Sequence, residues 1–193
     1  KGCLIQSIRD DNPVIFVEHR LLHKNRGHVP RHSYTVPFGK ARILAEGADI
    51  TIVSISHMVV ESLRARNYLD AVGIHAEVID PVSLSPLDMA TICNSVEKTG
   101  RLLVVDNAWN VCGAGAEVLA QVVECFQGRK EIFVRRMGFE PVTCPTTKPL
   151  ENQFYPNDRM IASAAHALVE RDNGSWVPRW DEAPEIVEFK GPF

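Results

Sequence analysis

The chain has 193 residues, 45% of them hydrophobic, 23% charged and 7% aromatic, which excludes a collagen-like or wholly disordered polymer. Twenty-one Lys and Arg stand against 24 Asp and Glu, and the net charge of −3 excludes nucleic-acid binding driven by bulk charge. No apolar run approaches the roughly 20 residues that span a bilayer, so no membrane partner is expected.

The chain opens on Lys1 rather than Met and carries no signal-peptide pattern; the expectation is a start within a longer chain. Leu4, Ile5 and Ile8 keep helical spacing. Asp10-Asp11-Asn12-Pro13 stops that helix, because proline cannot continue it and Asx residues favour turns. Val14-Ile15-Phe16-Val17 then reads as a short strand covered on both faces. A helix running into a strand with nothing ahead of it reads as the last piece of an α/β unit. Residues 18–37 carry four of the seven histidines (His19, His23, His28, His32) together with Arg20, Lys24, Arg26 and Arg31. This is a linker or exposed loop, with a basic site for an anionic ligand as the alternative. Its histidine pairs lack the Cys or carboxylate partners of a metal site.

From residue 38 strands and helices alternate. Ala41–Leu44 is a strand, and Ile50–Ile55, β-branched and apolar, is the best central strand. A helix over 57–71 keeps Val59, Val60, Leu63, Tyr68 and Leu69 on one face until Gly73 ends it. His75–Asp80 is the next strand. A helix from Pro86-Leu87 through Val96 follows, with Ser85 as its N-cap and Asp88 in its first turn. Leu102–Asp106 is a buried strand. A helix over 114–126 turns Val118, Leu119, Val122, Val123 and Phe126 inward, and Ile132–Arg135 is the last strand. Residues 138–156 read as a Pro- and Thr-rich loop, and a final helix covers 157–170. The alternation defines an α/β fold: a three-layer, mostly parallel sheet with helices on both faces. Residues 171–193, with Trp176 and Trp180, form an extended arm that packs on a surface of its own chain or of a partner.

Candidate chemistry is sparse. Cys112-Gly113-Ala114-Gly115-Ala116 follows a strand and opens a helix, where a phosphate can sit. The third glycine of the dinucleotide pattern is missing, so a tight loop with close helix packing is the competing reading. Asp80, Asp106, Asn107 and Glu117 fall near strand ends, where ligands gather, or else cap local backbone. The five cysteines (Cys3, Cys93, Cys112, Cys125, Cys144) form no C-x-x-C; reduced and mostly buried thiols in a cytosol-like compartment are expected.

Longer stretches carry a resemblance. Lys1-Gly2-Cys3-Leu4, Ser7–Val14, Val36–Ala41, Glu46–Thr51, Glu77–Asp80, Lys98–Arg101 and Gly113–Glu117 resemble, in order and spacing, the β subunits of thiamin-diphosphate-dependent 2-oxo acid dehydrogenases of the pyruvate and branched-chain types. The resemblance covers about residues 1–170. It implies that residues 1–35 are the tail of a pyrimidine-binding domain and a linker, that 36–170 are a transketolase C-terminal-like domain, and that 171–193 are an arm. It implies oxidative decarboxylation of a 2-oxo acid and acyl transfer to a lipoyl group, this region serving mainly subunit assembly. Implied partners are an α subunit, a second β subunit in an α2β2 assembly, and the acyltransferase's subunit-binding domain. Thiamin diphosphate with magnesium would belong to that assembly and not to this chain alone, because the activating glutamate lies upstream of Lys1 and the diphosphate motif on the α chain. A structural potassium site would fall at Ser7, Ile8, Asp10 and Asn12. The implied compartment is the cytoplasm, or the mitochondrial matrix in a eukaryote. Glu140, the histidine-rich stretch 18–32 and the arm depart from the family pattern. The alternatives are a transketolase or deoxyxylulose-phosphate synthase type of C-terminal domain, and a non-catalytic α/β interaction module.

Overall fold

The computed structural model describes residues 1–172 and 174–179. Its strands are β1 (Arg42–Ala45), β2 (Ile50–Ser54), β3 (Ala76–Asp80), β4 (Arg101–Trp109) and β5 (Phe133–Phe139). Its α-helices are α1 (Gly2–Arg9), α2 (Met58–Asp70), α3 (Met89–Thr99), α4 (Ala114–Phe126), α5 (Lys148–Phe154) and α6 (Asp158–Glu170), with a short 3-10 helix at Arg20–Lys24. The strands form one sheet in the order β1-β3-β2-β4-β5. β1 is antiparallel to β3 and every other pair is parallel.

Side chains alternate across a strand, so a strand covered on both faces must be apolar throughout. β2 is buried at every position. Its Ile50 and Ile52 enter one core with Leu103 and Val105 of β4, against Met58, Tyr68 and Leu69 of α2 and Ile161 and Ala165 of α6. Val53 enters the other core with Leu102 and Val104, against Ile92 and Val96 of α3 and Val118, Val122 and Phe126 of α4. Helices α2 and α6 therefore cover one face and α3 and α4 the other, as the sequence alternation requires. Thr51, buried on the α3 side, is kept satisfied by Ser95 Oγ at 2.6 Å and Thr99 Oγ1 at 2.8 Å. Gly100 ends α3 in the left-handed region at φ 68°, a conformation that favours glycine.

Several expectations are corrected. Val14–Val17 joins no strand, and Ile15 and Val17 are 92% and 85% exposed. The apolar run is real; no second layer covers it here. Helix α3 starts at Met89, because Asp88, not Ser85, caps it by accepting from the Thr91 N–H at 3.2 Å and the Thr91 hydroxyl at 2.7 Å. Strands β4 and β5 run beyond their expected ends and still pair at Trp109 and Phe139. The stretch 138–156 contains α5, which starts with a proline in its first turn, where the missing N–H costs nothing. On α4, Val123 is 40% exposed rather than inward.

The beginning of the arm lies on α6. The Trp176 ring stacks on His166 with centroids 4.5 Å apart, the Ser163 hydroxyl donates to the Trp176 carbonyl at 2.7 Å, and Arg159 Nε donates to the Pro178 carbonyl at 3.0 Å. Residue 173 and residues 180–193, including Trp180, lie outside the described residues. At the other end, α1 closes on the linker. Lys1 Nζ donates to the carbonyls of Pro30, Arg31 and His32, and a Cβ on buried Gly2 would meet Tyr34 and Val36 at 2.6 Å.

Candidate functional site

In open α/β sheets the carboxyl ends of the parallel strands are where ligands gather. Here a cleft of about 440 Å³ opens at that edge, between the linker (His19, Leu21), the start of α2 (His57, Glu61), Asn107 of β4 and Tyr155 beyond α5. His57 reaches it because β2 ends at Ser54 and α2 begins at once. The His19 ring stacks on His57, centroids 5.1 Å apart and planes 7° from parallel, so the linker is fastened to the domain here.

Glu61, one turn into α2, joins that helix to the start of α6. Its Oε1 accepts from Arg64 Nη1 at 2.8 Å, and its Oε2 accepts from the Asp158 N–H at the start of α6 at 3.2 Å. His57 Nε2 stands 3.6 Å from Oε1, an electrostatic contact too long for a hydrogen bond. Burial pushes the Glu61 carboxyl above its usual range against the pull of Arg64. Burial, then the neighbouring His19 and Arg64, push the His57 imidazole down, which favours its neutral form. His57 Nδ1 is buried without a hydrogen-bond partner. Chemically the cluster binds and positions: it ties linker, α2 and α6 together. His57 and Glu61 carry no sequence flag beyond their four-residue spacing at the start of a helix that follows the best strand.

The residues expected at a cation site lie together at the end of α1, away from that cleft's lining. The last helix-closing bond runs from the Asp10 N–H to the Gln6 carbonyl at 3.0 Å, so the Ser7 and Ile8 carbonyls lie at the open C-terminal end of the helix. That end carries partial negative charge. Asp10 Oδ1 accepts from both the backbone N–H and the side-chain amide of Asn12, at 3.0 and 2.9 Å. These bonds hold the Asp10 carboxyl below its usual range. Helix carbonyls, a carboxylate and an amide oxygen are donors of the kind a hard cation takes.

The glycine loop is closed to phosphate. A Cβ on Gly113 would lie 2.3 Å from the Trp109 carbonyl oxygen, and the Asp106 carboxylate already accepts from the Gly115 N–H at 3.2 Å. Close helix packing is the reading that holds. Glu117 pairs with Gln121 along α4 and does not converge on Asp106. Asp80 folds back to accept from the Val82 N–H at 2.9 Å, and burial raises its carboxyl. No diphosphate cradle is present among the described residues, so they do not fit thiamin diphosphate. All five thiols are free, and they depart from expectation in burial: Cys112 and Cys144 are exposed, and Cys3, Cys93 and Cys125 are half-buried.

This fold, with one antiparallel edge strand and helices on both faces, matches a known family. The chain belongs to the transketolase C-terminal domain family, whose pattern matches residues 39–161. It is 42% identical over 170 residues to the acetoin:2,6-dichlorophenolindophenol oxidoreductase subunit beta of Cupriavidus necator, covering 88% of this chain and 50% of that protein. It is 39% identical over 171 residues to the pyruvate dehydrogenase E1 component subunit beta of Bacillus subtilis, covering 88% of this chain and 52% of that protein. The chain thus spans about half the length of these curated relatives. Among solved structures, a split-gene transketolase described as an inactive beta4 tetramer superposes with a TM-score of 0.62 at 27% identity, over 70% of this chain and 44% of that one.

Proposed function

We propose that this chain is the C-terminal part of the β subunit of the decarboxylating component of a 2-oxo acid dehydrogenase, and that its own work is assembly. The observation that carries the reading is the identity of about 40% over 170 and 171 residues with relatives named as β subunits of an acetoin oxidoreductase and of a pyruvate dehydrogenase E1 component. In this reading residues 1–35 complete a preceding domain. The Val14–Val17 run, exposed and unpaired here, takes its place in that domain's sheet. Residues 36–170 supply contacts to an α subunit, to a second β subunit and to the acyltransferase's subunit-binding domain. The assembly works in the cytoplasm, or in the matrix of a mitochondrion.

Thiamin diphosphate with magnesium supplies the carbanion-stabilising chemistry of that assembly. The His19–His57 stack and the Glu61 bridge keep the linker, and hence the preceding domain, in a fixed relation to the sheet. A potassium ion at the Ser7 and Ile8 carbonyls with Asp10 and Asn12 would pin the end of α1 at that joint.

The test is reconstitution. The chain alone, given thiamin diphosphate and magnesium, is expected to show no 2-oxo acid-dependent dye reduction and no change in melting temperature. Joined to an upstream half taken from a relative and mixed with an α subunit, it is expected to support turnover. A clear rise in melting temperature with the cofactor, on the chain alone, contradicts the proposal. For the cation, potassium is expected to raise the melting temperature over a bulky organic cation at equal ionic strength, and Asp10→Ala is expected to remove the difference.

A further inference from the structure

Helices α3 and α4 lie side by side on the sheet face opposite α2 and α6. Met89 and Cys93 are one turn apart on α3, and Gln121 and Cys125 are one turn apart on α4, so each pair shares a helix face. With Ala90 these four residues line one shallow crevice of about 260 Å³. Three of the five lining side chains carry sulfur. The Cys93 and Cys125 side chains line that crevice from neighbouring helices, and both thiols are free and half-buried. Arg129, just beyond α4, acts electrostatically on Cys93, and its Nη1 donates to the Cys125 carbonyl at 3.2 Å. Gln121 is held aside by Glu117, which accepts from its Nε2 at 2.7 Å.

We propose that this crevice is a binding site for a soft monovalent cation of the Cu(I) type, with Cys93 and Cys125 as its thiolate ligands and Met89 as a weaker thioether ligand. Thiolate and thioether sulfur select such ions, whereas magnesium, calcium and potassium require oxygen donors. Binding displaces one proton from each thiol to solvent and leaves a bis-thiolate complex with one net negative charge, which the Arg129 guanidinium offsets. No electron is transferred. The site stands on the far face of the sheet from the His57 cluster and does not depend on the assembly proposed above.

The experiment uses the reduced chain, without oxygen, carrying Cys112→Ser and Cys144→Ser to remove the exposed thiols. Cu(I) is supplied against a competing chelator, and Ag(I) serves as the redox-inert probe. One metal equivalent is expected to survive desalting, with ultraviolet thiolate-to-copper absorption and a higher melting temperature from mass action. Cys93→Ser and Cys125→Ser are each expected to abolish both retention and absorption. Met89→Leu is expected to weaken retention about 10-fold, on the scale set by losing a supporting group at a metal site. Cys93→Ala is the second variant should the serine replacement fail to fold. Retention unchanged without Cys93 and Cys125, or equal retention of magnesium, overturns the proposal. So does loss of two mass units to a disulfide under these conditions with no metal held.

Discussion

Residues 42–170 and residues 1–35 contain runs of the same kind of apolar, β-branched sequence, yet they meet different fates. Ile50–Val53 and Leu102–Val105 are wholly buried, each alternate residue packed on a different pair of helices. Ile15 and Val17 stand 92% and 85% exposed, with no partner strand among the described residues. Composition alone therefore does not make a strand. A run of this type becomes one only where neighbours supply hydrogen bonds on both edges and apolar cover on both faces. The first region supplies its own; among the described residues none is supplied to the second.

The largest expected contrast follows directly. Leu103→Ala opens a cavity in the α2/α6 core and is expected to cost about 2–5 kcal/mol in denaturant unfolding. Ile15→Ala in the same chain is expected to fall within about 0.5 kcal/mol of zero. An equal loss at Ile15 would erase the distinction between the regions. Gly113→Ala forces a Cβ against the Trp109 carbonyl and is expected to cost about 1–3 kcal/mol, the range of overpacking, which denaturant titration reads.

Smaller effects come from pH, because His57 and Glu61 pull in opposite directions. The His57 imidazole is held below its ordinary 6.5, so its contribution is full above that value and is lost as pH falls below it. The Glu61 carboxyl is held above its ordinary 4.5, so its contribution is full below that value and is lost as pH rises through the raised one. Melting curves across pH 4–8 should therefore separate on mutation. His57→Gln is expected to remove the acid-side loss, and Glu61→Gln the loss on raising pH. The smallest effect is kinetic: a thiol reagent is expected to modify exposed Cys112 and Cys144 first. Cys93, pushed up to about 12 by burial and by the neighbouring Cys125 thiol, is expected to react last.

The central strands were legible because β2 and β4 carry apolar runs, Ile52-Val53 and Leu102–Val105, that lie between helices of clear period. Helix α4 was legible to its bounds because Gly113 and Gln127 flank an unbroken pattern. Tertiary partners decided the rest. Asp88 caps α3 in place of Ser85 because its carboxylate also accepts from the Ala41 N–H at 3.0 Å, a bond 47 residues away in sequence. The added length of β4 and β5 comes from their pairing with each other. The His57 cluster stayed hidden because His19, Glu61 and Asp158 meet only through the fold.

The central proposal is that residues 1–35 complete a preceding domain while residues 42–170 carry their own core. Amide hydrogen exchange tests it most directly, measured on this chain alone and again on the chain joined to an upstream half and bound to an α subunit. The backbone of 102–105 is expected to be protected in both states, and that of 14–17 to exchange freely alone and become protected on joining. Strong protection of 14–17 in the chain by itself, or none after joining, would contradict the account.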